Sequence, residues 1–418
     1  MGLTGHWPEK KGDFMQYLFT ERAHLMCPHM CFGIVMAVRR GYDEGEIRRS
    51  LNRLAAAHPF LRSFLGYEKD RNAYFYDITD QSKTQFLPTE SGICGIESPE
   101  VMDTYRKLTG YDWNLFEEGM LKVTAWKMQE ETCFLLVFHH LLTDGRGALG
   151  LARELADDYS LGIGPEPVGE NLISSVQDFP ANSRMPFISR FLVSRVNKIA
   201  AKEKRQVSYG EYHRFADDFL SRDPVRYSLS ETDSEELAAL HQKCRDHQVT
   251  INDYLLAKMM ADEKTDRIIM ACDLRGRLAC YRIGAMGNYS TAFSVIVKRD
   301  AGTLFDLAGK VHARVRQIMD CPADLYLVLQ CYANLSPEAL DAALISCRGG
   351  FPGKAGKFVG STFFGFEKGD GCSITNLGKT DSRSMPSAYF IPPASPAMRK
   401  TLGVLTVNGV MRVCTAER

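Results

Sequence analysis

Phe134-Leu-Leu-Val-Phe-His139-His140-Leu-Leu-Thr-Asp144-Gly145-Arg-Gly147 is the stretch on which the reading of the chain turns. It begins as an unbroken apolar run, passes through two histidines, and reaches an aspartate and two glycines. Directly after it Leu151, Leu155 and Tyr159 recur every four residues, flanked by Ala148, Ala152 and Ala156, which predicts a helix. The histidines therefore fall where a buried strand gives way to a loop, a place where a rigid scaffold presents side chains for chemistry. The imidazole of His140 titrates near neutral pH and can take a proton from an alcohol or amine. Asp144, four residues on, can turn back across the loop and fix its geometry, and Gly145 admits a backbone conformation that a side chain would forbid.

The pattern is His-His-x-x-x-Asp-Gly. A bare His-x-x-x-Asp arises roughly once per two chains of this length. His213-Arg-Phe-Ala-Asp217 is such a match, read as a histidine satisfied by a local carboxylate. The full pattern should arise by chance in about one chain in a thousand.

The full pattern resembles the active-site motif of the chloramphenicol acetyltransferase-like superfamily. That group includes condensation domains of peptide synthetases, plant BAHD acyltransferases, polyketide-associated acyltransferases and alcohol acetyltransferases. The resemblance implies that His140 is the general base and that Asp144 holds the site together, with His139 in a supporting role, its ring turned toward the core. Upstream, an apolar strand from His29 to Arg39 leads into a helix with Ile47, Leu51, Leu54 and Ala55 on one face, then into His58-Pro-Phe-Leu-Arg62. By itself that is a helix ended near a proline, with an arginine at the surface. It is also similar to the early part of condensation domains, where the arginine pairs with the motif's aspartate. The resemblance thus implies an Arg62–Asp144 ion pair, with Arg275 as the other candidate partner.

At 418 residues, 45% hydrophobic, the chain has ample core and a prior of two domains. Its 51 basic and 51 acidic residues balance, so nothing global points to nucleic acid or an anionic membrane. The first 14 residues are polar with no apolar signal core, and His6 breaks the myristoylation pattern that Met1-Gly2 would open. No run is long enough to span a bilayer. Twelve cysteines without a Cys-x-x-Cys pair read as reduced thiols in a cytoplasmic protein, with neither a zinc site nor a disulfide framework.

Residues 161–184 read as a linker. Phe187 to Arg205 is a basic amphipathic helix with the stripe Ile188, Leu192, Val196 and Ile199, read as a crossover helix with a solvated basic face. The competing readings are a membrane surface, an acidic partner, or the phosphates of coenzyme A. A second α/β unit then begins: a strand at Tyr227–Ser230, a capping box at Thr232-x-x-Glu235, and a helix opening at Thr250 that resembles the superfamily's Thr-x-Asn-Asp segment. A strand from Ile268 ends at Asp273-Leu-Arg275, and Gly287-Asn288 leads into a strand at Phe293–Val297. The glycines between Gly349 and Gly371 fit no Walker register and read as a flexible loop carrying Lys354 and Lys357. Ser373 to Gly378, with Asn376, resembles a superfamily strand end, and Asn408-Gly409 is a hairpin turn. The Asp-Phe-Gly-Trp-Gly motif of the plant branch is absent from the sequence.

The expected fold is α/β in two layers, with subdomains at residues 1–165 and 225–418, joined by a linker and crossover helix at 166–224. The resemblance implies a pseudo-dimer of acetyltransferase-like halves with a tunnel between them. It also implies direct acyl transfer from an acyl-CoA or phosphopantetheine thioester to an alcohol or amine acceptor. Oxyanion or substrate-binding candidates are the amides near Gly145 and the side chains of Asn288, Asn376 and Arg275. No permanently bound cofactor and no metal are expected. Two alternatives stand beside this: a condensation-type enzyme fed by a separate acyl or peptidyl carrier protein, and a non-catalytic binding protein that kept the fold.

Overall fold

Thr132 to His139 is buried at every position, which explains why its sequence is continuously apolar rather than alternating. Such a strand is covered on both faces. In the computed structural model, which describes residues 15–418, this strand lies at the centre of a five-stranded sheet. The expectations for residues 1–14 lie outside the described residues.

The strands in chain order are β1 (Gln16–Tyr17), β2 (Cys31–Val38), β3 (Ser63–Glu68), β4 (Ala73–Ile78), β5 (Gln85–Gly92), β6 (Leu121–Lys127), β7 (Thr132–His139), β8 (Arg226–Thr232), β9 (Arg267–Asp273), β10 (Ser290–Ile296), β11 (Gly371–Thr380), β12 (Ser387–Ile391), β13 (Met398–Val407) and β14 (Val410–Glu417). They form three sheets, with orders β12-β2-β7-β6-β5, β10-β9-β11-β13-β14-β8 and β1-β4-β3. The small third sheet was not anticipated. The β2–β7 pairing is antiparallel, with Cys31 opposite His139 and Phe32 opposite Phe138, so the end of β7 carrying the histidines is held in a fixed register.

One strand crosses between the halves. β12, from the far end of the chain, pairs antiparallel with β2 and completes the first sheet. A division at residues 165 and 225 therefore does not separate the sheets. The β13–β14 hairpin turns at Asn408 and Gly409 with φ of 48° and 85°, the left-handed pair that Asn-Gly supplies in such turns.

The helix Gly145–Leu161 buries Leu151, Ala152, Leu155, Ala156 and Tyr159, as its spacing predicts. Three local expectations need correction. The helix Ser234–Asp246 is capped by Asp233, not Thr232, because Thr232 still belongs to β8. The crossover helix Phe187–Glu203 buries Val196 as expected, but Val193 and Ala200 are buried in place of Leu192 and Ile199, and Ile188 is exposed. The glycine-rich stretch is not a loop: Lys354–Phe358 is α-helical and Val359–Phe364 a π-helix, and the pair packs against the crossover helix. No helix among the described residues is long and apolar enough to cross a membrane.

Expressed alone, residues 1–165 would leave the apolar β2 edge without β12, and an unpaired apolar edge is a template for association. This fragment is expected to aggregate or remain unfolded by size-exclusion chromatography and circular dichroism. A folded monomer would show that the first sheet closes without the second half.

Candidate active site

Asp144 is the most heavily bonded side chain of the motif. As N-cap of the helix Gly145–Leu161, its Oδ1 accepts from the amides of Arg146 and Gly147 at 3.0 and 2.9 Å. Oδ2 accepts from the Tyr289 amide at 2.8 Å. Arg275 then grips both oxygens, with Nη1 and Nη2 each at 2.9 Å. Burial alone would push the Asp144 carboxyl up; Arg275 and the Gly147 and Tyr289 amides outweigh it and hold the group below the usual carboxylate range.

This corrects the expected ion pair. Asp144 pairs with Arg275, and Arg62 takes no part: it ends the short 3-10 turn Pro59–Arg62, with its Nε buried and unbonded. Arg275 is likewise not free to bind substrate, since its remaining bonds go to Asp273 at 3.0 Å and the Gly287 carbonyl at 3.2 Å.

The glycine argument also shifts. Gly145 is not in the left-handed region; a Cβ there would meet a Leu377 methyl at 2.6 Å. The stricter position is Gly147, where a Cβ would fall 2.3 Å from the Met286 carbonyl oxygen. That backbone cannot yield as a side-chain tip can. The Thr143 hydroxyl donates to the same carbonyl, so the motif loop and the segment before β10 are locked together.

His139 and His140 face different surroundings. The buried His139 ring lies beside Trp113, its Nδ1 accepts from the Leu141 amide at 3.3 Å, and burial pushes its pKa down to about 3. His140 is half-buried and lines a cavity of about 570 Å³, ample for a small-molecule site. The cavity draws its wall from both halves, including Met30, Ser189, Ser290 and Thr375.

Asn288 was expected to be an oxyanion donor, but its amide is already committed. Nδ2 donates to the carbonyls of His140 at 2.9 Å and Leu141 at 3.3 Å. Oδ1 must therefore face the other way as an acceptor, 3.1 Å from His140 Nδ1. That fixes the tautomer: Nδ1 carries the proton and Nε2 keeps its lone pair. Burial also pushes the His140 pKa down, with the Asn288 bond and Asp144 opposing, so the ring is neutral near pH 7. Asn376 is placed elsewhere, between Asn252 Oδ1 at 3.4 Å and the Gly378 amide at 2.8 Å. The amides of Arg146 and Gly147 are taken by Asp144, which removes them as oxyanion donors.

Two cavity residues were missed. His24 stacks on His140 with ring centroids 4.5 Å apart and planes 24° apart, and burial, then His140 and His139, hold its pKa well below normal. Glu21 lines the same cavity. Both lie in Thr20-Glu-Arg-Ala-His24, a short polar stretch with no periodic signal. His213 is satisfied locally as expected, but chiefly by Asp112 at 2.7 Å rather than by Asp217 at 3.9 Å.

Behind the site, His58 Nε2 bonds Glu154 at 2.6 Å and Nδ1 lies 3.7 Å from Glu170; Glu170 in turn accepts from the Met286 amide at 2.9 Å. Burial works against the His58 charge, but the two glutamates raise its pKa to about 9.

Asp144→Ala and Arg275→Ala are each expected to cost roughly 3–5 kcal/mol, since each strands one partner of a buried pair. Arg62→Ala should cost less than either. Urea melts of the three variants check this, and equal losses for Arg62 and Asp144 would restore the original pairing. For His58 the folded-state pKa is raised, so its contribution is fully present below the unfolded value near 6.5 and is lost as pH rises through about 9. Melting temperature should fall across that window by the equivalent of ~3 kcal/mol, and the fall should be blunted in His58→Gln.

No protein-family model matches the sequence, and no curated protein matches it either. Solved structures do. The chain is similar to the TRI3 trichothecene 15-O-acetyltransferase from Fusarium sporotrichioides at TM-score 0.61 and 10% identity, covering 99% of this chain and 95% of that one. It is similar to the condensation domain of the monacolin K polyketide synthase MokA at TM-score 0.60 and 11% identity, covering 97% and 91%. Polyketide synthase associated protein 5 from Mycobacterium tuberculosis matches at TM-score 0.57 and 15% identity, covering 98% and 94%. The likeness at these identities is one of fold, and it runs nearly end to end: this chain shares the fold of a solved acetyltransferase and a solved condensation domain.

Proposed function

We propose that the protein is an acyltransferase that moves an acyl group from a thioester donor to an alcohol or amine acceptor, with His140 as general base. The observation that carries this reading is the His140 tautomer. Asn288 holds the proton on Nδ1, and Nε2 is left as a basic lone pair on a ring that lines a cavity spanning both halves. The fold shared with an acetyltransferase and a condensation domain supports the same chemistry.

Nε2 takes the acceptor's proton as the acceptor oxygen or nitrogen bonds to the thioester carbonyl carbon. The tetrahedral intermediate collapses, the C–S bond breaks, and the proton on Nε2 passes to the leaving thiolate. His140 carries a positive charge between these steps; the stacked His24 ring presents its π-face to that charge. Asp144 stays outside proton transfer and fixes the loop. The donor is an acyl-CoA or a phosphopantetheine thioester on a separate carrier protein. Arg267 and Arg314 line the cavity, and Arg267 is exposed, which supplies cationic partners for a donor's phosphate where the cavity meets solvent.

The test is thiol release from acetyl-CoA and longer acyl-CoAs with simple alcohol acceptors. His140→Ala should lower kcat by about two to four orders of magnitude with an unchanged melting temperature. With a neutral alcohol, the acid limb of kcat/KM should lie below the ordinary histidine range near 6.5, because burial depresses the His140 pKa. Undiminished transfer by His140→Ala would overturn the assignment.

A further inference from the structure

On the short 3-10 turn Thr20–His24, three residues before the ring that stacks on His140, Glu21 forms part of the cavity wall. It is 1% exposed. Oε2 accepts from the Phe19 amide at 3.3 Å, while Oε1 is buried and bonded to nothing in the protein.

The neighbouring cation does not compensate it. Arg22 spends Nε and Nη2 on Asp341 at 3.0 and 2.6 Å, and Nη1 on the Asn72 carbonyl at 2.5 Å. The other groups near enough to feel the Glu21 charge are neutral: Tyr76, Tyr289 and Cys280. The two tyrosine hydroxyls are already donated, to the Leu141 carbonyl at 2.7 Å and the Asn171 carbonyl at 3.1 Å. His24 and His140, the cavity's imidazoles, are held neutral by burial. The Phe19 amide, Glu21's own amide and the Thr20 hydroxyl only partly offset the burial of this carboxylate, and burial pushes its pKa up to about 7. Other buried polar atoms of the described residues also lack partners, but Glu21 is the acidic residue among them that belongs to the wall of the cavity holding His140, and an unpartnered carboxylate in that wall points to a ligand that completes it.

We propose that Glu21 binds a cationic nitrogen on the acceptor, so that the cavity selects amino alcohols or diamines over neutral alcohols of the same length. The inference rests on the acyl-transfer reading for which substrate enters, though not for whether the cation binds. An ionised carboxylate only accepts hydrogen bonds, and an ammonium brings both donors and the missing charge. A hydroxyl brings a donor and leaves the charge unpaired. A thioester offers a carbonyl and a sulfur, neither of which suits a carboxylate, so the acidic part of the cavity falls to the acceptor and the arginine-bearing part to the donor. The bound ammonium keeps its proton and is not a nucleophile. The acceptor's other group, its hydroxyl or second amine, is then the one that meets Nε2 of His140.

The experiment is titration calorimetry with ethanolamine, aminobutanol and aminohexanol against the diols of matching length, on the full chain without donor. The same acceptors are then run in transfer assays with acetyl-CoA, longer acyl-CoAs and acyl-phosphopantetheine. At least one amino alcohol is expected to bind about tenfold or more tighter than its diol. Its affinity should rise from about pH 6 to about pH 8 as Glu21 gives up its proton. Glu21→Gln should lose both the preference and the pH dependence, and with the buried charge gone its melting temperature near pH 8 should match or exceed that of the parent. Equal affinity for amines and diols in the unmodified protein overturns the proposal without any variant having to fold, and so does a preference that survives in Glu21→Gln. If the amine preference holds while no transfer occurs from acetyl-CoA, longer acyl-CoAs or acyl-phosphopantetheine, the cation site stands and the acyl-transfer reading falls.

Discussion

The bidentate contact between Asp144 and Arg275 is the constraint on which the site depends. Asp144 caps the helix behind the histidines, and Arg275 stands two residues past the end of β9 in the other sheet. The Tyr289 amide completes the set, and Tyr289 is the residue next to Asn288. Through one carboxylate, then, the strand end bearing His140 and the segment bearing its hydrogen-bond partner are fastened together. The tautomer of His140 is in this sense a tertiary property: Nδ1 is protonated because Asn288 is brought from 148 residues away with its amide group already spent on two carbonyls. Burial of the pair makes it costly to break.

The motif's spacing was enough to locate this arrangement but not to wire it. The strand into His139, the turn and the following helix are written in local pattern: an apolar run buried on both faces, an aspartate at the cap, and a four-residue recurrence of apolar side chains. The partner of Asp144 is not local. Arg62 was favoured because His58-Pro-Phe-Leu-Arg62 is similar to the early part of condensation domains, yet it ends a 3-10 turn whose backbone is held by Thr79, whose amide and hydroxyl both donate to the Arg62 carbonyl. Arg275 reaches the aspartate because β9 ends beside it, a fact of sheet topology.

Other differences have equally specific causes. Asn288 and Asn376 have the right chemistry for an oxyanion, but each is consumed by nearby backbone or by Asn252. Thr232 and Asp233 are both competent caps, and pairing of Thr232 with Met411 in the sheet decided between them. The stretch from Gly349 to Gly371 contains Phe358, Phe363 and Phe364, which pack in the second core cluster and make helix worthwhile despite the glycines. Glu21 and His24 left no trace because the burial of a lone polar residue has no period.

β12 carries a consequence for how the chain is made. The edge of the first sheet waits for residues 387–391, so on the ribosome strands β1 to β11 are made before the first sheet can close. Until then β2 offers an unpaired apolar border to anything nearby, and the search for its partner spans most of the sequence. The pairing ties completion of the first sheet to a strand of the second half, so the two halves are coupled in folding through β12.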